Sequence, residues 1–292
     1  MRFFLIILLL INISCSFDNK SGIWTTNNKT NAVKERFKDF ETLYSKTKTF
    51  EQVIQPDKRL KIILEPIKDN FNWNDEFYNY SNNFDNFSYK EKNELIFKSK
   101  KLSRFKIKDK ILFNKNSVII NDQKGNIIVY SIKKEEIIFK YNFYKKKFKK
   151  IDKLLNVIIE NNIIYVSDNL GYLYALDYLN NKLLWAQNYK VPFRSNIKII
   201  GEKLFLADIN NSLYFIKKEN GEKIKILPTE DTIVKNNFIN SLSLGNKNLF
   251  FLNTYGSLYN FESSGRIKWF VNLNQSADIN PSNLFNSNQI IN

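Results

Sequence analysis

A repeated segment fills most of the second half of the chain and constrains the fold more than any other feature. Four copies align, beginning at Val118, Ile163, Lys203 and Asn248. In each copy an aspartate or asparagine stands three residues before a glycine or asparagine; the pairs are Asp122 and Gly125, Asp168 and Gly171, Asp208 and Asn211, and Asn253 and Gly256. The second member of the pair recurs at positions 125, 171, 211 and 256, and this period of about 40–46 residues is that of a repeated supersecondary unit.

Each copy predicts a four-stranded antiparallel sheet. The Asp or Asn side chain can accept hydrogen bonds from a tight turn, and Gly or Asn supplies positive φ there. β-prone runs flank the turn, and in the second copy they predict strands at about 154–159, 163–167, 172–176 and 183–189. An aromatic residue in the last strand is expected to fill the gap between neighbouring units, at Phe139, Trp185 and Trp269, whereas the third copy has Lys225 there and is expected to be weaker.

One such sheet is too thin to bury both of its faces, so the copies are expected to stack around an axis. The prediction is an all-β fold, a β-propeller of four-stranded antiparallel blades over residues 67–292, with about four complete blades and partial ones. The sequence from Ser276 to Phe285 and from Gln289 to Asn292 predicts the first strands of a fifth blade. The run from Glu94 to Lys100 predicts an outermost strand that closes the ring.

The amino terminus predicts a lipid anchor. An apolar run from Phe3 to Ile13 is shorter than the ~20 residues of a spanning helix. It ends at Ser14-Cys15-Ser16 and resembles the lipobox of bacterial lipoproteins, although Asn12 stands where that pattern prefers Leu. The resemblance implies a signal peptide at 1–14, acylation of Cys15 and a place at the periplasmic face of the outer membrane. The alternative is an incidental thiol.

Residues 15–66 are predicted to be a tether between this anchor and the repeats. From Phe17 to Asn31 the sequence is polar and lacks periodicity, which is typical of a flexible spacer. Apolar residues between positions 33 and 54 predict one short amphipathic helix, with Phe37, Phe40, Leu43 and Tyr44 on its apolar face.

The composition excludes several classes of catalytic site. The chain has no histidine and one cysteine, which excludes Ser–His and Cys–His nucleophile pairs, histidine general bases and histidine zinc sites. The formal charge is +16, but only six of the 45 basic residues are arginine. Because base and phosphate recognition relies on arginine forks, we interpret most of this charge as solvated surface and predict no nucleic-acid partner.

The second copy carries a family resemblance. Residues 171–177 read Gly-Tyr-Leu-Tyr-Ala-Leu-Asp and Leu184-Trp185 follows, which resembles the repeat of pyrroloquinoline-quinone-type propellers. Two families share it: the quinone-dependent dehydrogenases, which hold a calcium ion and often a vicinal disulfide, and the BamB-type lipoproteins of the outer-membrane β-barrel assembly machinery. The lone cysteine, the placement of the repeat aspartates one to a blade in turns, and the stretch from Pro66 to Trp73 with Asn82-Asn83 favour the second family.

The resemblance to BamB-type lipoproteins implies a non-catalytic scaffold without cofactor, metal or small-molecule substrate. It implies binding to the periplasmic domains of the barrel-assembly subunit and to unfolded outer-membrane proteins. It also implies eight blades, which need about 345 residues, so we expect a C-terminally incomplete propeller, with pairing of two open arcs as the alternative. Two other functions stay open: a periplasmic propeller that binds another protein or polymer, and a degenerate quinoprotein dehydrogenase.

Two surfaces are candidates for contacts with partners. The basic run from Lys145 to Lys150, between the first two copies, would suit an acidic partner or phospholipid head groups, with an ordinary solvated loop as the alternative. Blade edges, such as that at Asn188, would suit an extended chain that adds a strand.

Overall fold

The computed structural model describes residues 66–273 apart from 70–71, 90, 92–93, 96, 109, 232–237 and 246, together with residues 289–291 and isolated positions at 16–17, 24–25, 55, 59 and 61. The chain divides into two compact units, Met1–Leu60 and Lys61–Asn292. In the first unit, β1 (Ser16–Phe17) and β2 (Trp24–Thr25) form an antiparallel pair within the stretch that the sequence predicts to be a spacer. The predicted signal peptide at 1–14, Cys15 and the helix predicted between 33 and 54 lie outside the described residues.

The second unit contains four antiparallel sheets, one for each sequence copy, which we call blades 1 to 4. Blade 1 contains β4 (Leu112–Asn114), β5 (Ser117–Asn121), β6 (Asn126–Ser131) and β7 (Glu136–Asn142), and the short strand β3 (Asn72–Trp73) pairs with β4. Blade 2 contains β8 (Leu155–Glu160), β9 (Ile163–Asp168), β10 (Tyr172–Asp177) and β11 (Lys182–Asn188). Blade 3 contains β12 (Lys198–Ile200), β13 (Lys203–Ala207), β14 (Leu213–Lys217) and β15 (Lys223–Leu227). Blade 4 contains β16 (Ser241–Gly245), β17 (Asn248–Leu252), β18 (Ser257–Glu262) and β19 (Ile267–Asn272).

The prediction of an all-β fold made of four-stranded antiparallel blades is confirmed. Each strand predicted for the second copy agrees with β8, β9, β10 or β11 to within one residue at either end. Within the described part of the chain, no helix is long and apolar enough to cross a bilayer.

Stacking of the blades explains why their middle strands are buried along most of their length. In blade 2, Val166 and Tyr174 pack against blade 1, whereas Tyr165 and Leu173 pack against blade 3. Because successive side chains of a strand point to opposite faces, both faces need an apolar neighbour, and three interblade clusters supply it. The fourth strands β11, β15 and β19 are mostly exposed, so they form the outer edge of the unit.

Two expectations about the ends of the repeat are wrong for the residues that can be described. Residues 94–95 and 97–100 form no strand, and the Phe97 ring instead packs on Tyr130 of blade 1, with ring centroids 5.7 Å apart. Residues 289–291 also form no strand; Ile290 N donates to Ser241 Oγ at 2.9 Å, and Ile290 O accepts from Asn82 Nδ2 at 2.7 Å. The strand predicted from Ser276 to Phe285 lies outside the described residues.

Candidate functional site

The turn side chains singled out by the repeat hold the turns of their own blades. Oδ1 of Asp122 accepts hydrogen bonds from the backbone N–H groups of Lys124 at 2.9 Å and Asn126 at 3.1 Å. The same pair of bonds recurs in the other blades: Asp168 with Leu170 and Tyr172, Asp208 with Asn210 and Ser212, and Asn253 with Tyr255 and Ser257. The partner residues have the positive φ values that such a turn requires, 83° at Gly125, 86° at Gly171, 61° at Asn211 and 97° at Gly256.

The second polar atom of each turn side chain makes a hydrogen bond to a further side chain. In three blades that partner lies in the segment that leads into the blade. Asp122 Oδ2 accepts from Ser103 Oγ at 2.6 Å, ahead of blade 1. Asp168 Oδ2 accepts from the Tyr144 hydroxyl at 2.5 Å, and Asn253 Nδ2 donates to Thr229 Oγ1 at 3.0 Å. In blade 3, Asp208 Oδ2 accepts from the hydroxyl of Tyr214 in the same blade at 3.0 Å. These side chains therefore couple the turns to their surroundings, and their acceptor atoms are occupied.

Burial sets the protonation behaviour of two of these carboxyl groups. It raises the pKa of Asp168 and of Asp208 above the ordinary value, although backbone N–H groups and a tyrosine hydroxyl beside each carboxylate oppose the rise. Burial, together with neighbouring Tyr174 and Asp168, also raises the pKa of Tyr144. A buried carboxyl group that is already hydrogen-bonded suits a structural role better than proton exchange with a substrate.

Residues 72–85, which we call the inner segment, run along the first strands of the blades. β3 pairs with β4 of blade 1, and Asn74 O accepts from Ile159 N of blade 2 at 2.8 Å. In blade 4, Leu244 N donates to Tyr80 O at 2.9 Å, and Asn82 Nδ2 donates to Leu242 O at 2.8 Å. The inner segment therefore joins blades 1, 2 and 4 through hydrogen bonds to their first strands.

Lys198 links blade 3 to the inner segment. Its Nζ donates to Asp75 Oδ2 at 2.6 Å, Asn79 O at 2.9 Å and Asn82 Oδ1 at 2.6 Å, so all three ammonium protons are used. The side chains of Lys198 and Asp75 are 0% and 3% exposed. Burial lowers the pKa of Lys198 and raises that of Asp75, and their mutual attraction opposes both shifts.

A second ion pair and a cavity accompany this one. Glu76 Oε2 accepts from Lys110 Nζ at 2.7 Å, and its Oε1 accepts from Val157 N at 3.1 Å. Burial raises the pKa of Glu76 and the nearby Lys110 opposes it. A cavity of about 330 Å³ lies between the inner segment and blades 2 and 3, and Asp75 is part of its wall. The carboxylates of Asp75 and Glu76 are thus each paired with a lysine.

Sequence reasoning missed the role of the inner segment. The stretch from Pro66 to Trp73 was identified only by its family resemblance. One signal was available: Lys198 stands between apolar residues in a β-prone run, and a buried lysine requires a carboxylate partner.

The aromatic residues predicted to lie between blades occupy three different environments. Phe139 is 2% exposed and belongs to the cluster between blades 1 and 2. Trp185 packs on the cluster between blades 2 and 3, and its Nε1 donates to Lys218 O of blade 3 at 3.0 Å. Trp269 is 44% exposed, and its ring centroid lies 6.0 Å from that of Phe250 in its own blade. The exposed Lys225 occupies the corresponding place in blade 3.

The two predicted contact surfaces are both on the outside. The basic run from Lys145 to Lys150 includes a 3₁₀ turn at Lys146–Phe148, and its five lysines are exposed. Asn188 lies at the end of the outer strand β11, and its Oδ1 accepts from Lys190 N at 2.8 Å.

The described residues do not fit the calcium site of a quinone-dependent dehydrogenase. No three Asp, Glu, Cys or His side chains come together in this part of the chain. Ca²⁺ takes six to eight oxygen ligands, whereas the turn carboxylates stand one to a blade and accept hydrogen bonds from their own turns.

Comparison with solved structures shows the fold. The chain is similar to the quinohemoprotein alcohol dehydrogenase from Comamonas testosteroni, with 12% identity and a TM-score of 0.55 over 69% of this chain and 41% of the dehydrogenase. The chain has a β-propeller fold. It is also similar to BamB from Moraxella catarrhalis, with 12% identity and a TM-score of 0.45 over 53% of this chain and 49% of BamB.

These similarities concern the fold alone, and the chain spans less than half the length of either solved structure. No protein-family model matches the sequence, and no curated protein matches it.

Proposed function

We propose that the protein is a non-catalytic scaffold of the outer-membrane β-barrel assembly machinery. It is held at the periplasmic face of the outer membrane by acyl chains on Cys15, after removal of the signal peptide at 1–14. It binds the periplasmic domains of the barrel-assembly subunit and helps deliver unfolded outer-membrane proteins to it. The propeller fold, the repeat sequence and the lipobox support this proposal together.

The proposal that the protein is non-catalytic rests on one observation: the aspartates of the repeat are engaged in structural hydrogen bonds. Asp122, Asp168 and Asp208 each accept two backbone N–H groups of their own turn and at least one further side-chain donor. General acid–base chemistry needs a carboxyl group that reaches a substrate, and these groups are buried. Such blades form a rigid support whose exposed outer strands and connections are available to protein partners.

Purification of the tagged, lipidated protein from membranes tests the scaffold function. We expect the barrel-assembly subunit to accompany the wild type and to be strongly reduced with Cys15→Ala, which lacks the anchor. Absence of the subunit from the wild-type preparation would contradict the proposal. Calcium-dependent absorbance of a bound quinone in the purified protein would instead indicate the dehydrogenase alternative.

Metabolic labelling with a palmitate analogue tests the anchor separately. The wild type should be labelled and Cys15→Ala should not. Equal labelling of the two proteins would show that the acyl chains are elsewhere, and no labelling of the wild type would exclude the lipoprotein.

A further inference from the structure

Basic and apolar side chains are exposed together at one end of blades 1 and 2. Three stretches meet there: residues 103–108 ahead of blade 1, the turn at 122–125, and the connection at 143–154. Backbone bonds join them, because Gln123 N donates to Lys106 O at 3.0 Å and Lys153 N donates to Gln123 O at 2.9 Å. We call this surface the basic end; its exposed cationic residues are Arg104, Lys106, Lys145, Lys146, Lys147, Lys149 and Lys150.

The charge of the basic end is not neutralised by the described part of the chain. Asp122 and Asp168 are fully buried and hydrogen-bonded inside their turns. Asp152 is exposed, but it pairs with Lys124 at 2.7 Å. None of the seven exposed cations forms an ion pair with a described residue. A concentration of like charge of this kind attracts an anionic surface.

Apolar side chains lie among these cations. Phe105, Ile151 and Leu154 are 44%, 43% and 57% exposed, and Lys147 Nζ lies 4.8 Å above the Phe148 ring. Protein surfaces that insert into a bilayer interface combine basic residues with exposed aliphatic and aromatic ones. An acidic solute would match the cations but would leave the apolar side chains in water.

The connection that carries the lysines is fixed by contacts with blade 2 and by a hydrogen bond within the connection. Tyr144 donates to Asp168, the buried Lys153 donates through Nζ to Phe148 O, and the Phe148 ring lies 6.1 Å from that of Tyr172 in blade 2. The backbone that presents the lysines is therefore fixed on the blades, so little ordering accompanies binding.

We propose that the basic end binds the anionic phospholipid head groups of a bilayer. The lysines contact lipid phosphates, and Phe105, Ile151 and Leu154 enter the boundary between head groups and acyl chains. This inference rests on the proposed lipoprotein function in one respect, the identity of the bilayer: it is the membrane in which the acyl chains of Cys15 are anchored. Bound in this way, the propeller turns one defined end toward the membrane.

Cosedimentation with vesicles tests this proposal, using the full chain with Cys15→Ala so that no acyl chain contributes. One vesicle preparation contains phosphatidylglycerol and phosphatidylcholine, and the other contains phosphatidylcholine alone. Any binding through the apolar amino-terminal run is common to both and cancels in the ratio of affinities. We expect preference for the anionic vesicles, weakened by salt.

A set of matched variants assigns that preference to the surface. Replacing Lys146, Lys147, Lys149 and Lys150 by Gln should lower the affinity for anionic vesicles at least about tenfold and leave binding to phosphatidylcholine unchanged. The control replaces four exposed lysines elsewhere in the same two blades by Gln, namely Lys133, Lys134, Lys140 and Lys182, and should retain the preference. Equal losses in the two variants, or no preference in the parent, would overturn the proposal.

The apolar contribution has its own variant. Ile151→Ser with Leu154→Ser keeps every charge and should also weaken binding to anionic vesicles, and unchanged binding would exclude the bilayer as the partner. The barrel-assembly subunit is not present in this assay. A failure here therefore leaves the scaffold function standing, and a failed co-purification leaves lipid binding standing.

Discussion

The indole of Trp185 in blade 2 lies directly over Gly221 in blade 3. A β-carbon on Gly221 would stand 2.6 Å from Cε3 and Cζ3 of Trp185, and the indole Nε1 donates to Lys218 O in the same turn at 3.0 Å. The same arrangement recurs at the next interface, where a β-carbon on Gly265 of blade 4 would stand 3.1 Å from Lys225 Nζ of blade 3. The aromatic position of one blade thus packs on a glycine turn of the next.

Gly221→Ala should destabilise the protein because the new methyl group meets the indole and because φ at Gly221 is +71°. Overpacking costs about 1–3 kcal/mol, and the left-handed conformation adds about 1 kcal/mol. Gly201→Ala is the matched control, since its φ is +56° and nothing lies within 4 Å of the added atom. This variant should lose only the conformational contribution of about 1 kcal/mol. Urea denaturation followed by circular dichroism measures the unfolding free energy of both variants, and equal losses would show that Trp185 does not pack tightly on Gly221.

The sequence repeat predicted the strands and turns of the blades well, because these elements are determined by residues within a single copy. Asp168, Gly171 and the strands around them lie within one copy, so turn chemistry and period-two burial are readable in the sequence. The contact of Trp185 with Gly221 was not readable, because it depends on how two copies stack. The sequence predicted that Trp185 faces a neighbouring blade, but not which residue receives it.

The inner segment, in contrast, could not be predicted from local sequence. Asn74, Asp75 and Asn82 follow no hydrophobic period, and their positions are decided by the first strands of blades 2, 3 and 4. The backbone groups and side chains of those strands need partners once they are removed from water. This requirement exists only in the assembled fold, so no local pattern marks it.

Lys198→Met should be strongly destabilising, because it leaves the Asp75 carboxylate buried without its cation. Breaking one side of a buried pair costs about 3–5 kcal/mol. Lys217→Met removes the pair of Lys217 with Glu222, whose side chains are 50% and 57% exposed, and should cost far less than Lys198→Met because exposed ion pairs contribute little to stability. Adding Asp75→Asn to Lys198→Met should restore part of the loss. Similar unfolding free energies for the two lysine variants would show that the buried pair contributes no more to stability than the exposed pair.

Asp168→Asn should change the pH dependence of stability. Burial raises the pKa of Asp168 in the folded protein above its ordinary value of 3.8, against the opposing hydrogen bonds from Tyr144, Tyr172 and Leu170. The folded state therefore holds this proton more tightly than the unfolded state, and the contribution of Asp168 to stability falls as pH rises from about 3.8 through the raised pKa. The variant has no such proton, so its unfolding free energy should rise relative to the wild type across that window.

The chain itself shows that an amide fits this place, because Asn253 makes the same two bonds to its turn in blade 4. Unfolding free energies measured at several pH values give the result, and Asp168→Ala serves as the control. That variant loses the acceptor as well as the proton and should be less stable by about 1–3 kcal/mol even at acid pH. A difference between wild type and Asp168→Asn that is independent of pH would contradict the raised pKa.

Phe139→Ala and Trp269→Ala should have very different effects, although the two residues occupy the same position of the repeat. Phe139 is 2% exposed between blades 1 and 2, so its loss leaves a cavity and should cost about 3–5 kcal/mol. Trp269 is 44% exposed on β19 and contacts Phe250 of its own blade, so its loss should cost no more than about 1 kcal/mol. Urea denaturation of the two variants decides, and equal losses would mean that Trp269 is covered in solution as fully as Phe139.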